Sequence, residues 1–299
     1  VFYGFQTLTS PGFIRGMALP SVGFPSSEYR TLPPSLNAAR LPRSWTQAAG
    51  TCTLMPARIH RESQQHARDA TMENFDYYNP TRIVFGKGTI ARIDELVPAG
   101  ARVLFTYGGG SIKSNGVYDR IREALGSRAV TEFGGIRPNP SYEHLMDGVA
   151  LGREEGADFL LAAGGGSVLD GTKFIAAASC YTGDDPWDML AHRDEVKPSG
   201  ALPLGAVLTL PATGSEMNPI GVISRDSTHE KFGFSSEHLY PKFSILDPET
   251  TFSLPKHQVR NGVVDAFVHT VEQYITYPVN APLQDRQAEA ILLTLLEEG

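Results

Sequence analysis

Sulfur, positive charge and long apolar runs are all scarce in this 299-residue chain. Its two cysteines, Cys52 and Cys180, lie far apart and form no C-x-x-C, which excludes a disulfide framework and a thiolate metal site and suits a reducing cytoplasm. No run of about 20 apolar residues occurs, so a transmembrane helix is not expected. With 26 Lys and Arg against 33 Asp and Glu, the net charge is -7 and the isoelectric point is near 5.6. That balance, with no basic cluster, argues against a nucleic-acid partner, whose phosphates need a concentrated positive surface. What the chain does have is apolar content, 41% of residues, enough at this length for about two domains.

Charge is unevenly spread. Residues 1–71 hold seven Arg, no Lys, three acids and seven prolines, with no sustained period of 2 or 3.6 residues, whereas residues 72–299 hold 19 basic and 30 acidic residues. The first stretch reads as poorly structured. Met72, opening MENFDYYNPTRIVFGKGTI with a strand-like alternation and a Gly-Lys-Gly turn, reads as the natural start. Since the chain begins with Val, translated upstream sequence is the preferred account of 1–71. The rival is an Arg-rich, acid-poor transit peptide, which the prolines disfavour.

From Arg102 one pattern recurs: an apolar run, a glycine-rich turn, a helical period. ARVLFTY leads into Gly108-Gly109-Gly110-Ser111 and the helix around VYDRIREAL; ADFLLAA leads into Gly164-Gly165-Gly166-Ser167 and the helix around GTKFIAAAS; LGAVLTLP ends in Ala212-Thr213-Gly214-Ser215-Glu216. Continuous apolar strands alternating with helices predict an α/β fold with a parallel sheet covered on both faces. The three turns then fall along one sheet edge, where such folds place ligands. After Leu246-Asp247-Pro248 the texture turns helical, with helices expected over 256–276 and 282–298. The predicted organisation is therefore a dinucleotide-binding α/β domain over 72–250 and the start of a helical domain over 251–299.

Glycines between a strand and a helix let the backbone approach a pyrophosphate, whose charge the free amides of the helix start can bind. One such turn also serves ordinary chain reversal, but two GGGS turns and a TGS turn at strand ends point to a nucleotide. Asp265 and His269 stand at i and i+4 in NGVVDAFVHTVEQYI, so on a helix both leave one face and can share a divalent cation, Fe2+ or Zn2+. The plainer alternative is a solvated pair stabilising its helix. Val264, Phe267, Val268 and Val271 around it favour apolar surroundings. His192, His229, His238 and His257 read as ordinary surface histidines.

The motifs YGGGSIKSNGVYD, RPNP, AAGGGSVLDGTKFIA, TLPATGSEMN and GVVDAFVHTVEQY, in this order, resemble the iron-containing alcohol dehydrogenase family over Met72–Gly299, and within it the NADPH-dependent aldehyde reductase and butanol dehydrogenase branch. The resemblance implies a Rossmann-like domain followed by an α-helical one, with the active site in the cleft between them. It places Gly109, Ser111 and Asn139 on the adenosine side of the cofactor, and Gly165, Gly166, Ser167 and Val168 at the pyrophosphate. Thr209, Asn218 and Lys231 fall on the ribose and nicotinamide side, and Asp265 and His269 are the first two metal ligands.

The family draws two further His ligands from its helical domain, at positions expected beyond residue 299, so this chain is expected to be a fragment with little activity of its own. The implied reaction is hydride transfer between NADP(H) and a short-chain aldehyde or alcohol, in a homo-oligomer when complete. The site after the first cofactor strand, Tyr107 to Ser111, carries no carboxylate to repel a 2'-phosphate, and Ser111 with Lys113 could bind one; NADP is therefore the expected cofactor. Two other readings stand beside this one: a glycerol dehydrogenase or dehydroquinate synthase type of enzyme, and a nucleotide-binding module without catalysis.

Overall fold

The computed structural model describes residues 76–276 and 281–299. The expected leader and the start at Met72 lie outside the described residues. By its contacts the described chain divides within one helix into two compact units, Tyr77–Gly262 and Val263–Gly299.

In the first unit, strand β1 (Arg82–Phe85) turns through Gly86-Lys87-Gly88 into a 3-10 turn and the short helix α1 (Ile93–Leu96). Strand β2 (Arg102–Tyr107) is followed by the four-residue α2 (Ser111–Ser114) and by α3 (Val117–Leu125). Strand β3 (Ala129–Phe133) precedes α4 (Tyr142–Glu154), and β4 (Phe159–Gly165) runs directly into α5 (Gly166–Cys180). After the short α6 (Asp188–Ala191) come β5 (Leu204–Leu210), β6 (Ile220–Arg225), β7 (Glu230–Ser235) and β8 (Phe243–Leu246). Helices α7 (Lys256–Thr276) and α8 (Pro282–Glu298) follow.

Six strands form one sheet in the order β1-β8-β5-β4-β2-β3, every pair parallel. The apolar runs of β2, β4 and β5 are buried on both faces, as a parallel strand between helices requires. On one face Leu104, Leu160, Ala162, Ala206 and Leu208 share a core with Leu145 and Val149 of α4 and Leu169 and Phe174 of α5. On the other, Val103, Phe105, Leu161, Val207 and Ile245 share one with Ile93 of α1 and the 117/121/125 stripe of α3. Each such Leu, Ile or Phe contributes about 1.5–3 kcal/mol by leaving water. Because β3 lies on one side of β2 and β4 on the other, the winding reverses between them. The carboxyl ends of β2 and β4, carrying the two GGGS turns, therefore flank the crevice where open α/β sheets bind ligands.

Strands β6 and β7 form an antiparallel hairpin outside that sheet. No glycine marks its turn; Asp226-Ser227-Thr228-His229 closes it, with His229 at φ 55. Ile223 and Phe234 send the hairpin into the α4/α5 core. The loop before α4 holds it: Ser224 N–H donates to the Pro140 carbonyl (2.9 Å), and Arg137 pairs with Asp226. The Glu143 carboxylate accepts the amides of Asp226 (3.1 Å) and Ser227 (3.0 Å). Partial burial pushes the Glu143 carboxyl up, but those amide bonds outweigh it and hold the group down at about 2.

In the second unit, Thr270, Tyr274, Ala288, Ile291 and Leu292 are buried, while Val264, Val268, Ile275, Leu283 and Leu296 are exposed. Among the described residues no helix is long and apolar enough to cross a membrane.

Candidate cofactor loops and metal-ligand pair

All three glycine turns lie at carboxyl ends of neighbouring parallel strands, β2 beside β4 and β4 beside β5. Contacts between the turns are tight enough to require glycine. A Cβ on Gly164 would lie 2.5 Å from Cγ2 and 2.6 Å from Cβ of Val168, and one on Gly166 would strike the Thr213 side chain. The second GGGS turn is thus folded against both its own helix and the third turn. Helix α5 starts at Gly166, so the amides of Gly166, Ser167 and Val168 open a 15-residue helix and are available to an anion. The first GGGS turn differs: with Gly110 at φ 96 it opens only the four-residue α2, so its contribution rests on close backbone approach rather than on a helix dipole. Gly109 lies at its exposed side, while Gly108 is half-buried and approaches the Ile136 carbonyl and Val168 of α5.

Between β4 and β5 the pairing slips by one residue: Gly164 pairs with Leu208 and Gly165 with Leu210, which leaves Thr209 as the extra residue of a bulge. The RPNP loop is tied to the first turn, since Gly135 and Ile136 amides donate to the carbonyls of Gly108 (3.0 Å) and Tyr107 (3.2 Å). Asn139, at φ 54, accepts through Oδ1 from Lys231 Nζ at 2.8 Å, so the hairpin brings together two residues 92 positions apart.

Lys113, expected beside Ser111 for a phosphate, is engaged elsewhere. Its ammonium lies 3.5 Å from Glu132 and over the rings of Tyr107 and Tyr118 at 4.8 and 4.9 Å. Both tyrosine hydroxyls donate to the Glu132 carboxylate, at 2.9 and 2.5 Å. Burial pushes Glu132 up, but the bonds from Tyr118 and Tyr107 and the charge of Lys113 carry it below its ordinary value.

Behind the second and third turns lies a buried polar network that the motifs do not announce. Lys173 of α5 is fully buried. Its Nζ lies 2.8 Å from Ser215 Oγ, 2.8 Å from the Asn218 carbonyl, 2.8 Å from the Ile220 carbonyl and 3.2 Å from Asn218 Oδ1. Ser215 Oγ donates its one proton to Asp170 (2.7 Å), and the other Asp170 oxygen accepts the Val222 amide (3.1 Å). Burial pushes the Lys173 ammonium down to about 7 against the pull of Asp170 and Glu216, and pushes the Asp170 carboxyl up against that of Lys173 and Ser215. Two carbonyls and a hydroxyl whose proton is already given away need three donors, which only an ammonium supplies. The charged pair is therefore the form this geometry holds. A charged residue in GSVLDGTKFIAAASC, apolar on almost every side, is the signal for it, with Asp170 three residues earlier as the partner.

On α7, His269 Nε2 lies 3.6 Å from Asp265 Oδ1. Metal bonds of about 2.0–2.2 Å put two ligand atoms roughly 3–3.5 Å apart, so the pair stands just outside that spacing and a small side-chain rotation brings both to adjacent positions around one cation. Its surroundings differ from expectation: the side chains are 54% and 60% exposed, and Val264 and Val268 are exposed beside them. Val264 and Val268, four apart and each one position before a member of the pair, share the exposed side of the helix, whereas Thr270 and Tyr274 are buried. Among the described residues, no group of three or more His, Cys, Asp or Glu gathers as a cation cage. His192, His229, His238 and His257 are all exposed.

The profile of the family described as iron-containing alcohol dehydrogenase matches residues 80–248. The chain is 60% identical over 230 residues to the NADPH-dependent aldehyde reductase YqhD of Escherichia coli K12, covering 76% of this chain and 59% of that protein. It is 48% identical to a probable NADH-dependent butanol dehydrogenase of Bacillus subtilis, covering 76% and 58%. Among solved structures, the substrate- and cofactor-free E. coli aldehyde reductase superposes with a TM-score of 0.70 at 57% identity, covering 75% of this chain and 58% of that one. A butanol dehydrogenase of Thermotoga maritima gives 0.69 at 44%, covering 76% and 57%. The chain thus spans somewhat under 60% of the length of these relatives.

Proposed function

Because this chain belongs to the iron-containing alcohol dehydrogenase family, we propose that it carries the cofactor-binding part of an NADP-dependent aldehyde reductase or alcohol dehydrogenase acting on short-chain substrates. The observation that carries this reading is the set of three glycine turns at the carboxyl ends of β2, β4 and β5, beside the point where the winding reverses. In this reading the amides of Gly166, Ser167 and Val168 and the close-packed Gly165 receive the pyrophosphate. Gly109, Ser111 and Asn139 receive the adenosine half, and Thr209, Asn218 and Lys231 the ribose and nicotinamide. A nicotinamide dinucleotide supplies or accepts the hydride when bound, and a divalent metal lends Lewis acidity to the carbonyl oxygen.

The residues themselves bind and orient. Lys231, fixed by Asn139, offers a cation that a ribose hydroxyl or phosphate oxygen can meet, and Asn218 offers a carboxamide. Asp265 and His269 supply two ligands for the metal, iron being what the family's name points to and zinc equally compatible with their chemistry. NADP is preferred over NAD because Gly108 to Ser111 present no carboxylate to a 2'-phosphate. The identity to an NADPH-dependent relative supports that choice. We assign the reaction to the cytoplasm, which the two separated cysteines suit, and to an oligomer, which the family resemblance implies.

Titrating NADPH into the chain and following its fluorescence tests the reading, with NADH in parallel. Saturable binding of NADPH, at least about tenfold tighter than NADH, is expected. Absence of binding by either would overturn the cofactor assignment. Turnover is read as nicotinamide absorbance with a short-chain aldehyde in a protein spanning the relatives' full length.

A further inference from the structure

We propose that Lys173, anchored by Asp170 through Ser215, is a positioning residue that fixes the Asn218 carboxamide with its oxygen turned to the protein, leaving the amide nitrogen as the group offered to a ligand. The assignment rests on donors. Asn218 Oδ1 receives the Ile220 amide at 2.9 Å and Lys173 Nζ at 3.2 Å, and the Asn218 main-chain carbonyl receives the same ammonium at 2.8 Å. Both groups facing Oδ1 can only donate, so an amide nitrogen in that place would leave the Ile220 amide without an acceptor and set an NH2 group against the Lys173 ammonium, which disfavours the flip.

The ammonium is itself held. Its three protons have the Ser215 hydroxyl, the Asn218 carbonyl and the Ile220 carbonyl as acceptors, and Asp170 takes the Ser215 proton and the Val222 amide. One pair, three residues apart on α5, therefore ties the helix that begins at the second glycine turn to the segment that follows the third. Asn218 must then donate, so its partner on the ligand is an oxygen acceptor. On the ribose and nicotinamide half of a dinucleotide that is a hydroxyl or carboxamide oxygen. This identification of the partner rests on the cofactor reading proposed above; the orientation of Asn218 does not.

Three variants separate the roles. Lys173→Met alone leaves Asp170 buried without its cation, so it is compared with Asp170→Asn/Lys173→Met, which removes both charges and should recover much of the lost melting temperature. In the paired variant the Ile220 amide should exchange with solvent about tenfold faster or more, as loss of a charge-assisted hydrogen-bond network implies, while the sheet amides of β4 keep their protection. NADPH affinity should fall about tenfold even where melting is restored.

Asn218→Asp keeps both acceptor oxygens for Lys173 and the Ile220 amide but removes the donor. It should leave Ile220 exchange at the parent level and weaken NADPH about tenfold. A folded paired variant with parent-level exchange at Ile220 would overturn the positioning role, and parent-level NADPH affinity in Asn218→Asp would overturn the donor role. Failure of the unsubstituted chain to bind NADPH would instead sink the cofactor reading, with Ile220 exchange still deciding the orientation of Asn218.

Discussion

Replacing Gly164 by alanine inserts one methyl group where no room exists. The new Cβ would lie 2.5 and 2.6 Å from Cγ2 and Cβ of Val168, and the second of these atoms is fixed to the α5 backbone, so no rotamer change relieves the contact. Either β4 or the first turn of α5 must shift. Overpacking of this kind costs about 1–3 kcal/mol. For a folded part of roughly 200 residues, each kcal/mol lowers the melting temperature by about 2–4 °C, so a fall of about 2–12 °C is expected. Displacement of the Gly166, Ser167 and Val168 amides should weaken NADPH by about tenfold at temperatures where the variant is folded. Gly109→Ala is the control, because nothing lies within 4 Å of a Cβ there and the backbone is not left-handed. It should melt within about 1 °C of the parent. Differential scanning fluorimetry and NADPH titration read both variants. If Gly164→Ala matches the parent in melting and affinity, the close packing of the second turn does not constrain the site.

Other substitutions probe separate parts. Gly109→Asp places a carboxylate where a 2'-phosphate is proposed and should shift the NADPH to NADH affinity ratio toward NADH; an unchanged ratio counts against the NADP assignment. Glu143 is held at about 2, below its ordinary value, so its contribution is full above the ordinary carboxylate range and is lost as pH falls toward 2. Glu143→Gln should flatten that part of the stability profile in acid denaturation and loosen the β6–β7 turn. Asp265→Ala and His269→Ala should each lower bound metal, measured by elemental analysis of a protein spanning the relatives' full length, and leave NADPH affinity within about twofold.

Elements built on continuous apolar runs are legible in the amino-acid sequence. Strands β2, β4 and β5 are buried on both faces, so composition alone marks them, and their glycines mark where they end. The spans of α7 and α8 are equally plain from Pro255, Pro282 and the helical period. The β6–β7 hairpin is not, because its turn has neither Asn-Gly nor Asp-Gly and its register is fixed from outside by Glu143, Arg137 and Pro140. Asn139 and Lys231 can be named individually, but their contact depends on that hairpin. Lys173 is hidden because lysine in a helix usually points to water; only the burial of α5 on every side turns it into a buried cation in need of partners. The apolar neighbours of Asp265 and His269 mislead, since a valine beside a polar pair on one helix says nothing about whether another element covers them.

The slip between β4 and β5 makes chain length at one position as consequential as chemistry. With Thr209 counted as the extra residue, everything after it is carried half a pleat out of phase with the strand before it. A deletion at Thr209 would straighten the ladder and keep Leu210 opposite Gly165, but it would remove the local bend through which the chain leads to the Thr213–Ser215 turn packed on Gly166. This short stretch should therefore tolerate exchanges of side chain far better than the gain or loss of a single residue, however conservative the composition of the altered segment.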